Sequence, residues 1–372
     1  MDEARLIAFF KDLHAHPELS WEERRTTEKL LEALRGHGIE TLDTGIQTGA
    51  IAVVGRAGGP VIGLRGDIDA LPVQEETGLA YASAVPGRMH ACGHDFHTAV
   101  MLGAAILLKE REAALPGRVK IVFQPAEETD NGAKKVLATG LLDDAREFYG
   151  IHSYHGFPAG TLGIKEGPVM ASPDRFAIRV IGRGAHGGQP HKGVDPIPAA
   201  AALVLGAQTI VSRTMDPFSA AVVSVTRVQA GTTWNVVPGH AELEGTVRTL
   251  TLPDRAHIRE ALMHMAGATA QAYGCTAEFD WTDGSPPVIN DAASCAAARD
   301  VALDMGFSVD RQEDTMGGED FSEYLAGRRG AFIRVGTGGE WPNHHPRFAC
   351  DPAALVPAAR FFARLAEARL NA

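Results

Sequence analysis

The stretch Met89-His90-Ala91-Cys92-Gly93-His94-Asp95-Phe96-His97 places one thiol, three imidazoles and a carboxylate within nine residues. Such a density of polar groups is costly to fold around unless something binds the side chains. Thiolate and imidazole suit zinc and related first-row metals, whereas an oxygen-only set would point to magnesium or calcium. Cys92 and His94 reach the same metal site if the segment is an extended loop. A second group, Glu127-Glu128, follows Pro125, which ends a strand and leaves both carboxylates in a turn. Adjacent side chains point in different directions, so the pair is expected to divide two tasks, one carboxylate binding metal and the other taking a proton from water. Asp67 and Asp69 lie on one side of an extended chain and are expected to orient ligand histidines.

These groups need elements to position them, and the apolar pattern supplies candidates. Val61–Leu64 runs into Arg65–Asp69, Val119–Phe123 into Gln124–Glu128, Phe148–Ile151 into His152, and Ala331–Val335 into a Gly-rich loop reaching His344. In open α/β sheets, active sites gather beyond the carboxyl ends of strands. Helical spacing occupies Ala4–His16, Glu22–His37, Thr98–Glu112, Lys134–Thr139, Ala292–Met305 and Pro352–Leu370. Strands alternating with helices predict an α/β fold with a mainly parallel sheet sandwiched by helices. After Ser172 the pattern becomes strand, helix, strand, strand, helix, strand: Arg175–Ile181, Pro196–Ser212, Ala221–Val228, Ala241–Thr249, Asp254–Tyr273 and Ala277–Trp281. Pro286-Pro287 marks a return. The expected organisation is a larger domain of residues 1–172 and 288–372, interrupted by a smaller α+β domain of residues 173–287.

Composition narrows the function classes. With 372 residues, 45% of them hydrophobic, two domains are expected. A net charge of −11 without a Lys/Arg cluster argues against nucleic acid. Met1-Asp2-Glu3-Ala4-Arg5 lacks the basic region of an export signal, and no apolar run approaches a membrane span, so a cytoplasmic protein without a membrane partner is expected. The four scattered cysteines suit a reducing compartment.

Arg65–Pro72 (RGDIDALP), Met89–His97 (MHACGHDFH), Phe123–Glu128 (FQPAEE), Gly184–Pro190 (GAHGGQP) and Thr315–Phe321 (TMGGEDF) resemble, in order, the amidohydrolase branch of the metallopeptidase superfamily. That branch contains hippurate hydrolase, N-acetyl-diaminopimelate deacetylase and the hydrolases of indoleacetyl-amino acids. The resemblance implies two divalent metal ions (Zn, Mn, Co or Ni) bound by Cys92, His94, Glu128, His152 and His344. His345, next to the last of these, competes with it. The resemblance also makes Glu127 the general base and His186 a residue that holds the substrate or its oxyanion. It makes the inserted domain a lid and dimerisation domain, in a homodimer or homotetramer.

The expected reaction is hydrolysis of the amide bond of N-acyl amino acids, releasing a carboxylic acid and an amino acid. Arg248 and Arg334, on candidate strands, are the arginines to consider for the substrate carboxylate. Two rivals stand beside this reading. One is a dipeptidase or aminopeptidase, with Asp320 or Glu319 available to recognise a free amine. The other is a catalytically silent metal-binding protein, which loss of Glu127 or of a ligand would have favoured; all are present.

Overall fold

The computed structural model describes residues 1–129 and 131–372, which form two compact units. The first unit comprises Met1–Val169, Ile289–Glu313 and Asp320–Ala372. Its sheet has the spatial order Glu40–Leu42, Ala50–Gly55, Arg118–Gln124, Val61–Asp67, Glu147–Tyr154, Arg329–Gly336, Thr161–Gly163, Ser308–Asp310. From Arg118–Gln124 to Arg329–Gly336 the neighbours run parallel, and helices flank the sheet. Parallel strands covered on both faces read as unbroken apolar runs rather than alternations. Val61–Asp67 is buried at every residue, and Arg118–Gln124 at all but the first.

Helix His94–Glu110 is buried nearly all round, which explains why its sequence, AVMLGAAILL after the first turn, shows little amphipathic contrast. It packs against Glu3–Ala15 and Leu355–Leu370. The latter turns Leu355, Phe361, Phe362 and Leu365 into the core. Truncating one of those phenylalanines to alanine would cost about 3–5 kcal/mol.

Two boundaries differ from the expectation in ways that matter for chemistry. The strands Val61–Asp67 and Glu147–Tyr154 run past Leu64 and Ile151, so Asp67 and His152 lie within the sheet and not in the loops beyond it. The helix begins at His94, and so the Cys92–His94 segment is no extended loop. Gly93 makes this turn with φ of 84°, and a Cβ there would stand 2.4 Å from Ser153 Oγ, so glycine alone fits.

The second unit comprises Met170–Val288 and Asp314–Glu319. Its antiparallel sheet has the order Ala221–Ala230, His240–Thr249, Ser172–Ile181, Thr276–Thr282. Ser172–Ile181 alternates buried and open positions, as expected of a sheet covered on one face. Phe176, Ile178, Val180, Leu243 and Val247 meet Leu203, Ile258 and Leu262 from the helices Pro196–Thr209 and Leu252–Ala272. The segment Asp314–Glu319, expected in the first domain, belongs here by backbone pairing: Thr315 bridges Met170, and the Ala171 N–H donates to the Gly317 carbonyl at 2.9 Å. Pro196–Thr214 is, by length and composition only, apolar enough to cross a membrane, contrary to the expectation that no run approaches that length. Ala199, Ala200, Leu203, Ala207 and Ile210 of this segment pack into this unit's core.

Candidate metal and catalytic centre

Two groups of donors converge in the first unit. Cys92, His94 and His152 present ligand atoms all within 4.8 Å of one another, and Cys92, Glu128 and His344 do the same, so the two triads share the Cys92 sulfur. His94 and His152 are each aimed by a contact on the far side of the ring. His94 Nδ1 lies 3.1 Å from Asp69 Oδ1, which leaves Nε2 directed toward Glu128 Oε1 at 3.7 Å. His152 Nδ1 is occupied by the Ser153 carbonyl at 2.8 Å, leaving Nε2 at 3.6 Å from Cys92 Sγ. This is the arrangement by which a carboxylate or carbonyl fixes the tautomer of a metal-binding histidine.

His344 has φ of 68°, its N–H donates to the Ala91 carbonyl at 2.7 Å, and its Nε2 lies 3.5 Å from Glu128 Oε1. The neighbouring His345 is engaged elsewhere. Its ring stacks on Trp341 at 4.2 Å, and its Nδ1 accepts the Arg347 N–H at 3.1 Å. The geometry thus favours His344 over its competitor.

The two aspartates separate. Asp69 contacts His94 and also accepts the Ser20 hydroxyl at 2.7 Å and the Glu128 N–H at 3.1 Å. Asp67 grips His97 instead, Oδ1 to Nδ1 at 2.5 Å, and His97 Nε2 accepts the Ser153 N–H at 2.6 Å. With both nitrogens committed, His97 is a brace between two strands.

The electrostatics describe a centre built for cations. His94 Nε2 and Glu128 Oε1 are buried and make no hydrogen bond. Burial would lower the His94 pKa, but Asp67, Cys92 and Asp69 outweigh it and hold the imidazole well above its ordinary value. Burial and then His97 hold His152 well below its ordinary value, so it is a neutral imidazole with a lone pair to give. Burial, with Glu128 alongside, pushes the Cys92 thiol up. One sulfur, three imidazoles and a carboxylate around unpartnered buried atoms fit first-row divalent ions, which would replace the protons on Cys92 and His94.

For several other residues in these motifs the sequence carries no signal of their partners. Arg65 is fully buried and donates to Gln124 at 2.9 Å, Asp67 at 2.7 Å and Asp320 at 2.8 Å. Asp320 also accepts the Ala133 N–H and both its oxygens meet Gln124 Nε2. Burial pushes Asp320 up to about 7 against the pull of Arg65. A guanidinium in a strand without another polar residue before Asp67 was the available clue.

The remaining candidates belong to the second unit or have other contacts. His186, in the second unit, is exposed on a two-residue strand paired with Val236–Val237, and its Nδ1 accepts the Gly188 N–H at 3.0 Å. Arg248, also in the second unit, is half-buried, and its side chain has no hydrogen-bond or ion-pair partner among the described residues. Arg334 is buried, donates to the Glu313 carbonyl at 3.0 Å and stacks over Tyr154 at 4.8 Å. Those contacts tie it into the first unit.

Comparison with known proteins agrees with this geometry. The model of peptidase family M20/M25/M40 matches residues 63–368. The chain is 48% identical over 364 residues to N-acetylcysteine deacetylase of Bacillus subtilis, covering 97% of this chain and 96% of the relative. It is 41% identical over 287 residues to N-acyl-L-amino acid amidohydrolase of Geobacillus stearothermophilus, covering 77% and 78%. A crystal structure of a dinuclear metal-binding M20 peptidase from Bacillus subtilis superposes with a TM-score of 0.91 at 46% identity, covering 99% of this chain and 98% of the other. The chain belongs to peptidase family M20/M25/M40.

Proposed function

We propose that the protein hydrolyses the amide bond of N-acyl amino acids, using two divalent metal ions held by Cys92, His94, Glu128, His152 and His344. The observation that carries this reading is the pair of donor triads sharing Cys92, with Glu127 directly beside Glu128. The names of the similar deacetylase and amidohydrolase support the substrate class. When bound, the ions polarise the substrate carbonyl and bring the pKa of water toward neutrality. Zinc, manganese, cobalt and nickel all suit the donor set.

The chain's own residues do the rest. Glu127 takes the proton of the attacking water and returns it to the departing amine. Asp69 keeps His94 in the tautomer that presents Nε2. His186 stabilises the oxyanion of the tetrahedral intermediate. Arg248, whose side chain has no partner among the described residues, receives the substrate carboxylate. Asp320 is unsuited to recognising a free amine, because Arg65, Gln124 and Ala133 already occupy it. That removes one of the two acids available to a dipeptidase or aminopeptidase, Glu319 being the other, and the presence of Glu127 with all five donors weighs against a silent binder.

The exposed residues of the edge strand Ala221–Ala230, together with Phe218 and Trp234, support association of the second unit into a homodimer or homotetramer. Four free cysteines, all buried, suit the cytoplasm. The test is a panel of N-acetyl, N-benzoyl and indoleacetyl amino acids beside free dipeptides. Amino-acid release from the acylated compounds supports the proposal, and cleavage of free dipeptides alone overturns it.

A further inference from the structure

The residues Glu18-Leu19-Ser20-Trp21-Glu22-Glu23 join the first two helices and contribute none of the five proposed metal donors. Two of their side chains nevertheless end at the centre. Glu23 stands where helix Arg24–Gly36 requires an N-cap, yet its side chain makes no cap bond. Glu18 caps in its place, its two oxygens accepting the N–H groups of Arg25 at 3.0 Å and Thr26 at 2.8 Å. Glutamate is a poor choice at an N-cap, where shorter oxygen-bearing side chains reach back to the helix. Its extra length suits a different target.

Glu23 is fully buried, and its carboxylate accepts the Ala126 N–H at 2.8 Å and the Thr48 hydroxyl at 2.8 Å. Ala126 has φ of 53°, a left-handed conformation that a residue with a Cβ adopts only when its surroundings enforce it. Two residues later the Glu128 N–H donates to Asp69, which Ser20 anchors and which also holds His94. Glu127 therefore lies between two backbone amides, each gripped by a buried carboxylate.

We propose, building on the reading of Glu127 as the general base, that Glu23 is a positioning residue which holds the left-handed turn at Ala126 and thereby aims Glu127. Both glutamates follow that turn in the short helix Glu127–Thr129, where a carboxylate oxygen of each lies within 4.8 Å of the other and of a His94 nitrogen, so the turn sets where Glu127 stands beside the donors. Glu23 touches no reacting atom. Its influence passes through one backbone hydrogen bond.

The experiment compares metal-loaded wild type with Glu23→Ala, Glu23→Gln and the helix-cap control Glu18→Ala. Amide hydrogen exchange at Ala126 is read together with kcat, KM, bound metal and Tm. Glutamine keeps an acceptor for the Ala126 N–H, so Glu23→Gln should retain protection at Ala126 and rescue kcat. Glu23→Ala should lose protection there and reduce kcat on the order of 10²-fold, the scale of a small misplacement of a catalytic group, with KM and metal content unchanged. Glu18→Ala should lower Tm without changing Ala126 exchange or kcat. A Glu23→Ala protein with lowered Tm but unaltered kcat and Ala126 exchange would overturn the proposal. Should that variant not fold, Glu23→Asp, which withdraws the carboxylate by one methylene, replaces it with the same two outcomes. If wild type cleaves no N-acyl amino acid, the functional reading fails, while the exchange data still decide whether Glu23 holds the turn.

Discussion

Cys92 Sγ lies 3.6 Å from His152 Nε2, two atoms brought together from residues 60 positions apart. Cys92 arrives by the Gly93 turn before a helix, and His152 from within a central strand, so their meeting follows from the fold. If the sulfur is shared between two ions, Cys92→Ala should lose both, whereas His152→Ala should lose one preferentially. Bound metal per chain, measured after gel filtration, checks this. Because burial raises the Cys92 thiol, metal uptake should also release a proton and tighten as pH rises.

Arg65 is the cation of a fully buried network with Asp67 and Asp320. Removing one partner of such a network leaves uncompensated charge behind. Arg65→Met should therefore lower unfolding free energy by about 3–5 kcal/mol, read by urea denaturation. Equal stability to wild type would show that the carboxylates relax or protonate at little cost.

His14 is buried between Asp95 at 2.6 Å and Glu75 at 3.2 Å. Burial lowers its pKa, but the two carboxylates outweigh burial and raise it to about 10. A folded-state pKa above the unfolded value means the proton is bound more tightly in the folded chain. Its stabilisation is complete below about pH 6.5 and is lost as pH rises through about 10. The stability difference between wild type and His14→Gln, measured on metal-free protein, should be largest near pH 6 and shrink toward pH 10. A difference that grows with pH would contradict this.

Arg248 and Arg334 should behave oppositely. Arg248→Ala should raise KM for an N-acyl amino acid about tenfold or more, with little change in Tm, as expected for loss of a charged hydrogen bond to substrate. Arg334→Ala should lower Tm, because Arg334 packs on Tyr154 and holds the Glu313 carbonyl. Steady-state kinetics and thermal unfolding of both variants separate the two roles.

Much of the centre was legible because polar residues interrupt apolar runs at the strand ends: Asp67, Glu127, Glu128 and His152 each follow or close such a run. The donor types also restricted the metal before any geometry was known. Contacts between distant residues were less visible. Nothing near Arg65 indicates that Asp320, 255 positions away, will meet it. The choice between His344 and His345 depends on a Trp341 ring that stacks on one of them, and periodicity carries no such information. Glu23 was hidden because a Glu-Glu pair before a helix looks like ordinary surface sequence, and its burial, its bond to Ala126 and the capping by Glu18 expose its different role. The placement of Asp314–Glu319 in the second unit rests on two backbone contacts to Met170 and Ala171, which leave no mark on composition.

The most direct test of the account is amino-acid release from an N-acetyl amino acid by wild type and Glu127→Ala, each stripped of metal and reloaded with zinc or manganese. The account predicts that wild type regains activity with metal, and that Glu127→Ala binds the same amount of metal but turns over more slowly by about 10²–10⁴-fold. Full activity in reloaded Glu127→Ala, or undiminished activity in stripped wild type, would contradict it.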